Sequence, residues 1–335
     1  MRLLARTVRG IEHLVAAEVA GIGRVDRIRH REVWFTAPPT PAVLDLRTAD
    51  DVFLIGAVCR GIGRTRADLA RVTRAAARLP DLAAVRARCG GPPAPPCDSP
   101  PATAGPVTEV VASFVGRRNF SRYDLEDAAG AALPGYVSRR RSRVPAAASS
   151  WRLTVAGDEA VLALRVGGRP LHRRPYRTRS VPGSLHPPLA AALARLAGVT
   201  PAMTVVDPCC GAGTLLLESP GCRFGLDESR AAVACARANG LAAAAVADAG
   251  RLPVASASLD RVLVNPPWDR QATSLGSLAA EPARLWHSVR RILRPDGLVA
   301  AVLAEPDLPR CLRIRTTVRI RVAGRPVHLV LAEPA

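Results

Sequence analysis

Lysine is absent: all 47 basic residues among the 335 are arginine. With so much alanine, this fits a GC-rich coding sequence, so the choice of arginine carries no chemical inference. The excess does: against 28 acidic residues it leaves a net charge of +19. No apolar run is long enough to span a bilayer, and neither a signal peptide nor a basic amphipathic anchor is evident in these residues. No membrane partner is expected, and the expected location is cytoplasmic, with reduced thiols. The eight cysteines (59, 89, 97, 209, 210, 222, 235 and 311) contain no C-x-x-C pair. That removes the usual zinc pattern, and no metal is expected. No residue stands out as a general base.

What is present is concentrated in residues 203–268. Met203, Val205 and Val206 read as a buried strand that runs through Asp207-Pro208-Cys209-Cys210 into Gly211-Ala212-Gly213. Thr214 and the apolar Leu215–Leu217 then begin a helix, with Glu218 after them. Strand, G-x-G turn and helix start make a nucleotide-type ligand site, because free N–H groups of the helix start face the ligand. The third glycine of the dinucleotide fingerprint is missing, and no Gly-Lys-Ser/Thr follows for a triphosphate. A ligand with an adenosine and a carboxylate but no pyrophosphate fits better, and S-adenosylmethionine is one. Asp227 closes a second strand at the distance from Asp207 where an acid meets ribose hydroxyls in a doubly wound sheet. Asp248 ends a third strand, and Leu259–Val264 runs into Asn265-Pro266-Pro267-Trp268. Two prolines fix the backbone and remove two donors. The Asn265 carboxamide and the Pro266 carbonyl can then hold both hydrogens of an exocyclic base amine. That pyramidalises the nitrogen and aims its lone pair at a sulfonium methyl, while Trp268 offers a face to an extracted base. The structural alternative is a Pro-Pro turn with Trp268 in the core. Cys210 reads as a packing residue, since amino-group methylation needs no covalent adduct.

DPCCGAGTLLLE, GLD, VADA and NPPW, in that order, resemble the class I methyltransferases that modify exocyclic amines of nucleic-acid bases. The chain is similar to the THUMP-domain RNA methyltransferases, and most of all to the tRNA guanine-N2 methyltransferases. The resemblance implies an α/β chain with an N-terminal ferredoxin-like domain (1–60) and a THUMP RNA-binding domain (61–170). After a connector (171–183) it implies a Rossmann-like class I methyltransferase domain (184–335) with a C-terminal antiparallel hairpin. It implies S-adenosylmethionine held by Asp207, Cys209, Gly211, Gly213, Thr214, Asp227, Asp248 and Asn265. Asn265, Pro266, Pro267 and Trp268 would be catalytic. The substrate would be the N2 amine of a guanosine in tRNA, engaged at the acceptor stem and 3′ end by a monomer. Alternatives are rRNA guanine-N2 or DNA/RNA adenine-N6 methylation, or a non-catalytic RNA-binding protein. Two departures stand out. Cys209 and Ala212 replace the family's more usual Phe and Ser, without loss of backbone donors. The helix after the glycine loop is short, with Gly225 close behind Glu218.

The charge excess sits in the middle: residues 61–180 are the most basic third of the chain, a footprint for a polyanion. Arg117-Arg118-Asn119-Phe120-Ser121 resembles the THUMP signature. An arginine pair at a helix N-terminus suits phosphate; the other reading is a solvated pair. Ser121 with Asp124 forms a capping-box pattern. Arg173, Arg174 and Arg177 lie in the connector and join Arg117, Arg118, Asn119 and Phe120 as RNA-contact candidates. Residues 90–106, rich in Pro and Gly, read as a mobile exposed loop. Residues 1–60 read as a scaffold without chemistry. Their expected elements are a strand at 3–7, a helix from Ile11, a strand at 33–36, a second helix at 42–49 and a strand at 52–58.

Overall fold

The computed structural model describes residues 1–92, 107–141, 144, 149–267, 276–322 and 324–335. Trp268 and residues 93–106 of the Pro-rich stretch lie outside the described residues. The chain opens with β1 (Arg2–Arg6) and α1 (Glu12–Val19), as the apolar spacing of Ile11, Leu14, Val15 and Val19 predicts. It divides into two compact units: residues 1–6, 19–46 and 51–171 form one, and residues 7–18, 47–50 and 172–335 the other.

In the first unit, β1 joins β2 (Arg24–Arg29), β3 (Glu32–Thr36), β4 (Asp51–Cys59), β5 (Thr108–Phe114), β6 (Ser149–Ala156) and β7 (Glu159–Arg165). They make one seven-stranded sheet in the order β2-β3-β1-β4-β7-β6-β5. Residue 60, the expected first boundary, follows the end of β4, and β4 pairs with β7 in that same sheet. Residues 68–88, which read from sequence as one helix or two with a break at Pro80, form α2 (Leu69–Ala76) and α3 (Ala83–Arg88). Ahead of α4 (Arg122–Gly130), Ser121 and Asp124 complete the capping box. α4 lies on β5, where the buried Glu126 carboxylate accepts the Ala112 N–H at 3.0 Å.

The second unit is doubly wound. Its strands are β8 (Thr204–Asp207), β9 (Cys222–Asp227), β10 (Ala244–Val246), β11 (Leu259–Val264), β12 (Leu293–Leu303), β13 (Leu312–Val322) and β14 (Arg325–Pro334). The order is β10-β9-β8-β11-β12-β14-β13. β8 to β12 run parallel, and β14 enters antiparallel between β12 and β13 as the expected C-terminal hairpin. Ile11 and Leu14 of the N-terminal segment share one apolar layer with α5 (Pro187–Leu196), α6 (Thr214–Leu217) and α7 (Arg230–Ala238). α8 (Gly276–Ala280) and α9 (Ala283–Ile292) cover the opposite layer through Leu278, Leu285 and Val289. Helices on both faces of a largely parallel sheet make this a Rossmann-like fold. The strand order reverses between β8 and β11, and ligands of such sheets bind outside the strand ends at that point.

Three expectations about elements are corrected. The helix expected at 42–49 is a single 3-10 turn, Pro41–Leu44. It stops because the Glu18 carboxylate takes the Arg47 and Thr48 N–H groups at 2.8 and 2.9 Å. β2 was not anticipated, since Arg24-Val-Asp-Arg-Ile-Arg29 reads as polar. Pro295-Asp296-Gly297, which reads from sequence as a turn leading into a strand at 298–303, is an irregularity inside β12, where the register against β11 shifts.

Candidate active site

The glycine loop is shaped by backbone that only glycine adopts readily. Gly211 has φ of 53° and Gly213 of 79°, both left-handed. The Gly213 N–H closes on the Cys210 carbonyl at 2.7 Å, and the Cys210 N–H bonds Leu226 at 2.9 Å. The neighbouring strand must leave room. A Cβ on Gly225 would come to 2.8 Å from the Cys210 sulfur and 2.9 Å from Leu241. Gly225→Ala is therefore expected to displace the loop and weaken binding of the pocket's ligand about tenfold, read by titration calorimetry.

Carboxylates ring the loop. Asp227 accepts the Gly211 N–H at 2.8 Å and the Ser229 N–H at 2.9 Å. Asp207, 1% exposed, accepts the Cys209 N–H at 3.0 Å. Burial pushes the Asp207 carboxyl well above its ordinary range, and the Asp227 charge adds to the shift. Burial likewise raises the Cys209 and Cys210 thiols, so neither is a poised nucleophile. Glu228 stands at the rim, its carboxyl raised by desolvation and by Asp248 and Asp227. Asp248 turns its Oδ1 toward the Gly250 N–H (2.8 Å) and the Ser277 hydroxyl (2.7 Å).

These groups enclose a cavity of about 540 Å³ at the switch point, within the usual range for ligand sites. Of the residues expected from sequence, Asp207, Cys209, Gly211, Thr214, Asp227, Asn265, Pro266 and Pro267 line it. Gly213 and Asp248 do not, although the neighbour of Asp248, Ala249, faces the cavity.

The far wall was not among the expected site residues, although the family resemblance puts the helix opened by Ser184–Pro188 over the cofactor pocket. It is the segment Val181–His186, just before α5. The Gly183 carbonyl accepts the Asn265 Nδ2 at 3.3 Å, which directs the amide nitrogen to the wall and leaves Oδ1 as the available acceptor. Asn239, 3% exposed, ties the backbone just ahead of this segment, at Thr178 and Arg179, to the glycine loop at Ala212. Its Oδ1 accepts the Thr178 and Arg179 N–H groups at 3.1 and 3.0 Å, and its Nδ2 donates to the Arg179 and Ala212 carbonyls at 3.0 Å each. In the sequence, Asn239-Gly240 reads only as a helix stop.

The RNA-contact candidates separate by exposure. Arg117, Asn119 and Arg173 are exposed, and Arg177, half-buried, donates to the Leu185 carbonyl at 3.4 Å. Three others depart from expectation. Arg118 gives its guanidinium to the Ile62 and Gly157 carbonyls at 3.1 and 2.6 Å. Phe120 is core, 4% exposed. Arg174 is buried against Glu218 at 2.9 Å. The sequence motif marked a helix entry and a connector, and packing used these side chains to build them.

Residues 174–222 match the RMKL-like methyltransferase domain family. Over 220 residues, 59% of this chain, the sequence is 35% identical to a tRNA (guanine(6)-N2)-methyltransferase of Thermus thermophilus; the matched part spans 62% of that relative's length. A shorter stretch of 67 residues, 20% of this chain and 9% of the relative, is 42% identical to ribosomal RNA large subunit methyltransferase K/L of Photobacterium profundum. The crystal structure of TrmN from Thermus thermophilus superposes with a TM-score of 0.77 at 27% identity, covering 100% of this chain and 99% of that one.

Proposed function

We propose that the protein methylates the exocyclic N2 amine of a guanosine in tRNA, with S-adenosylmethionine as donor; the match of residues 174–222 to the RMKL-like methyltransferase domain family supports this reading. The name of the Thermus relative specifies guanine 6, and we place the target at the same position, in the acceptor stem. One observation carries the reading: a single cavity is lined by both the glycine loop and Asn265-Pro266-Pro267.

The residues present fit the cofactor. Its net positive charge suits a wall holding Asp207, Asp227 and Glu228, and its carboxylate suits the N–H groups where α6 begins. When bound, it supplies an electrophilic methyl group. On this reading Asp227 would hold the ribose hydroxyls, and Ala249, beside Asp248 at its strand end, would border the adenine. Asn265 Oδ1 and the Pro266 carbonyl accept the two hydrogens of the target amine and turn its lone pair toward the methyl. Trp268 would stack on the base. The proton leaves after transfer, to water. Drawing a paired base out costs a few kcal/mol, which contacts to phosphates offset. Exposed Arg117, Asn119 and Arg173 are our choices for such contacts, on a THUMP domain spanning 61–170 that engages the 3′ end. The enzyme would act as a cytoplasmic monomer.

The test is incubation of the folded protein with labelled S-adenosylmethionine and unmodified tRNA, followed by nucleoside digestion. N2-methylguanosine is expected, and a tRNA with adenosine at position 6 should take no label. Label found only in rRNA would move the substrate to the ribosome, and label in neither RNA would sink the reading.

Asp207 gives a pH dependence. Its carboxyl is raised in the free protein, chiefly by burial. A cationic ligand favours the carboxylate and so lowers that value on binding. Affinity for S-adenosylmethionine is therefore expected to rise as pH increases toward the free-state pKa, with proton release on binding. Calorimetry in two buffers of different ionisation heat reads that release, and Asp207→Asn should abolish it.

A further inference from the structure

The sheet of the first unit has a second face whose chemistry the proposed site does not use. Residues paired directly across strands share a face. Arg27 pairs with Trp34, Trp34 with Leu4, Leu4 with Phe53 and Phe53 with Arg165. Arg152 pairs with Ala163, two residues before Arg165, and so joins the same face. On β5 the alternation is unambiguous: Thr108, Val110 and Ala112, on the α4 side, are buried, whereas Glu109, Val111 and Ser113, on the Arg152 side, are not fully so.

On this face Leu4, Trp34, Phe53, Ile55, Val161 and Ala163 form an apolar cluster of buried residues. Arginine side chains roof it. The Arg27 guanidinium lies 3.5 Å above the Trp34 ring, Arg29 5.2 Å from it, and Arg165 5.8 Å from Phe53. The cations outnumber their counter-ions. Arg27, Arg29 and Arg60 converge on one carboxylate, Glu159, at 3.5, 2.6 and 3.5 Å. Arg6 pairs with Glu32 at 3.2 Å and Arg165 with Asp51 at 2.7 Å. Arg152 is pulled down to about 10 by burial, with Arg6, Arg31 and Arg165 adding repulsion. Such crowding is costly until an anion relieves it.

We propose that this arginine-roofed sheet face binds the phosphate backbone of the RNA substrate, so that the N-terminal 60 residues are part of the RNA-binding surface. The inference rests on the proposed function for the identity of the polyanion. From β2 to β6 the face crosses five strand spacings, roughly 24 Å, broad enough for several phosphates. Guanidinium groups offer paired donors matched to phosphate oxygens. Binding through backbone shape and charge, without base readout, is the usual mode for structured RNA.

The test measures tRNA binding by the full chain across a salt series. Arg29→Gln with Arg60→Gln removes one half-buried and one exposed cation and leaves Arg27 on Trp34. Binding is expected to weaken about 5- to 10-fold near 0.1 M salt, and the slope of log K against log salt to fall by about 1.5. The KM for tRNA should rise by the same factor, with kcat and affinity for S-adenosylmethionine unchanged. Glu159→Gln removes the shared counter-ion and should tighten binding about 2- to 5-fold. Wild-type affinity and slope in the arginine double variant would overturn the inference and leave the face to an acidic protein. So would weaker binding by a Glu159→Gln variant that melts as wild type. If tRNA binds with this dependence but receives no methyl group, the activity reading fails and the binding face stands.

Discussion

Asn265→Ala is expected to lower kcat by about 10²- to 10³-fold while S-adenosylmethionine affinity changes less than about threefold. The size follows from what removing one preorganised polar group costs at a reacting centre. The nitrogen of a guanine N2 amine is planar, and its lone pair belongs to the ring. On the proposed mechanism the proton leaves only after transfer, so the rate depends on acceptors that hold both hydrogens. Asn265 follows directly after β11, and its Nδ2 is tied to the Gly183 carbonyl at 3.3 Å, so Oδ1 is oriented before substrate arrives. Asn265→Asp separates the two roles. It keeps an acceptor but sets an anionic oxygen against the Gly183 carbonyl, so it should lose most of the rate although its volume is unchanged. Single-turnover methyl transfer checks both variants, with calorimetry for the cofactor. If Asn265→Ala transferred methyl groups within tenfold of wild type, amine orientation would have to lie elsewhere.

The parts of this site legible in the sequence share a physical property: each is local. Gly211, Gly213 and the Asn265-Pro266-Pro267 corner declare a backbone conformation within a few residues, and each falls on the end of an apolar strand that its own pattern predicts. Asp227 could be placed because parallel strands space their ends regularly. The tie that holds the approach to the Val181–His186 wall could not be, since Thr178 and Arg179 are fixed by Asn239, some sixty residues away. Arg118 and Arg174 show the same limit from the other side. An arginine reads as a solvated cation until the fold supplies buried carbonyls or a carboxylate. β2 was invisible for a related reason. Its alternation of arginine with valine and isoleucine looks polar, yet the arginine stems cover Trp34 as an apolar side chain would.

Glu218→Ala is expected to cost about 3–5 kcal/mol of stability, the penalty for leaving a buried charge without its partner. Glu218 caps the short α6, and its side chain is fully buried. It accepts Arg174 Nε at 2.9 Å, the Tyr176 hydroxyl at 2.7 Å and Arg47 Nη2 at 2.8 Å. Burial and the Glu218 charge push the Tyr176 phenol up, which keeps it a donor. Arg47 is 45% exposed and can turn to water, but the Arg174 side chain, 4% exposed, cannot. The melting temperature should fall by roughly 10 °C. Glu218→Gln keeps the shape and one acceptor, so its loss should be smaller, about 1–3 kcal/mol. Because this cluster anchors the segment that continues into the Val181–His186 wall, Glu218→Gln should also raise the KM for S-adenosylmethionine several-fold. Replacing both partners, Glu218→Leu with Arg174→Met, removes the stranded charge and is expected to recover most of the stability. It should not recover the KM, since an apolar pair no longer fixes the direction of the connector. A double variant that regained both would mean that packing volume at this position is sufficient, and that the hydrogen bonds of Glu218 do not set the geometry of the pocket wall.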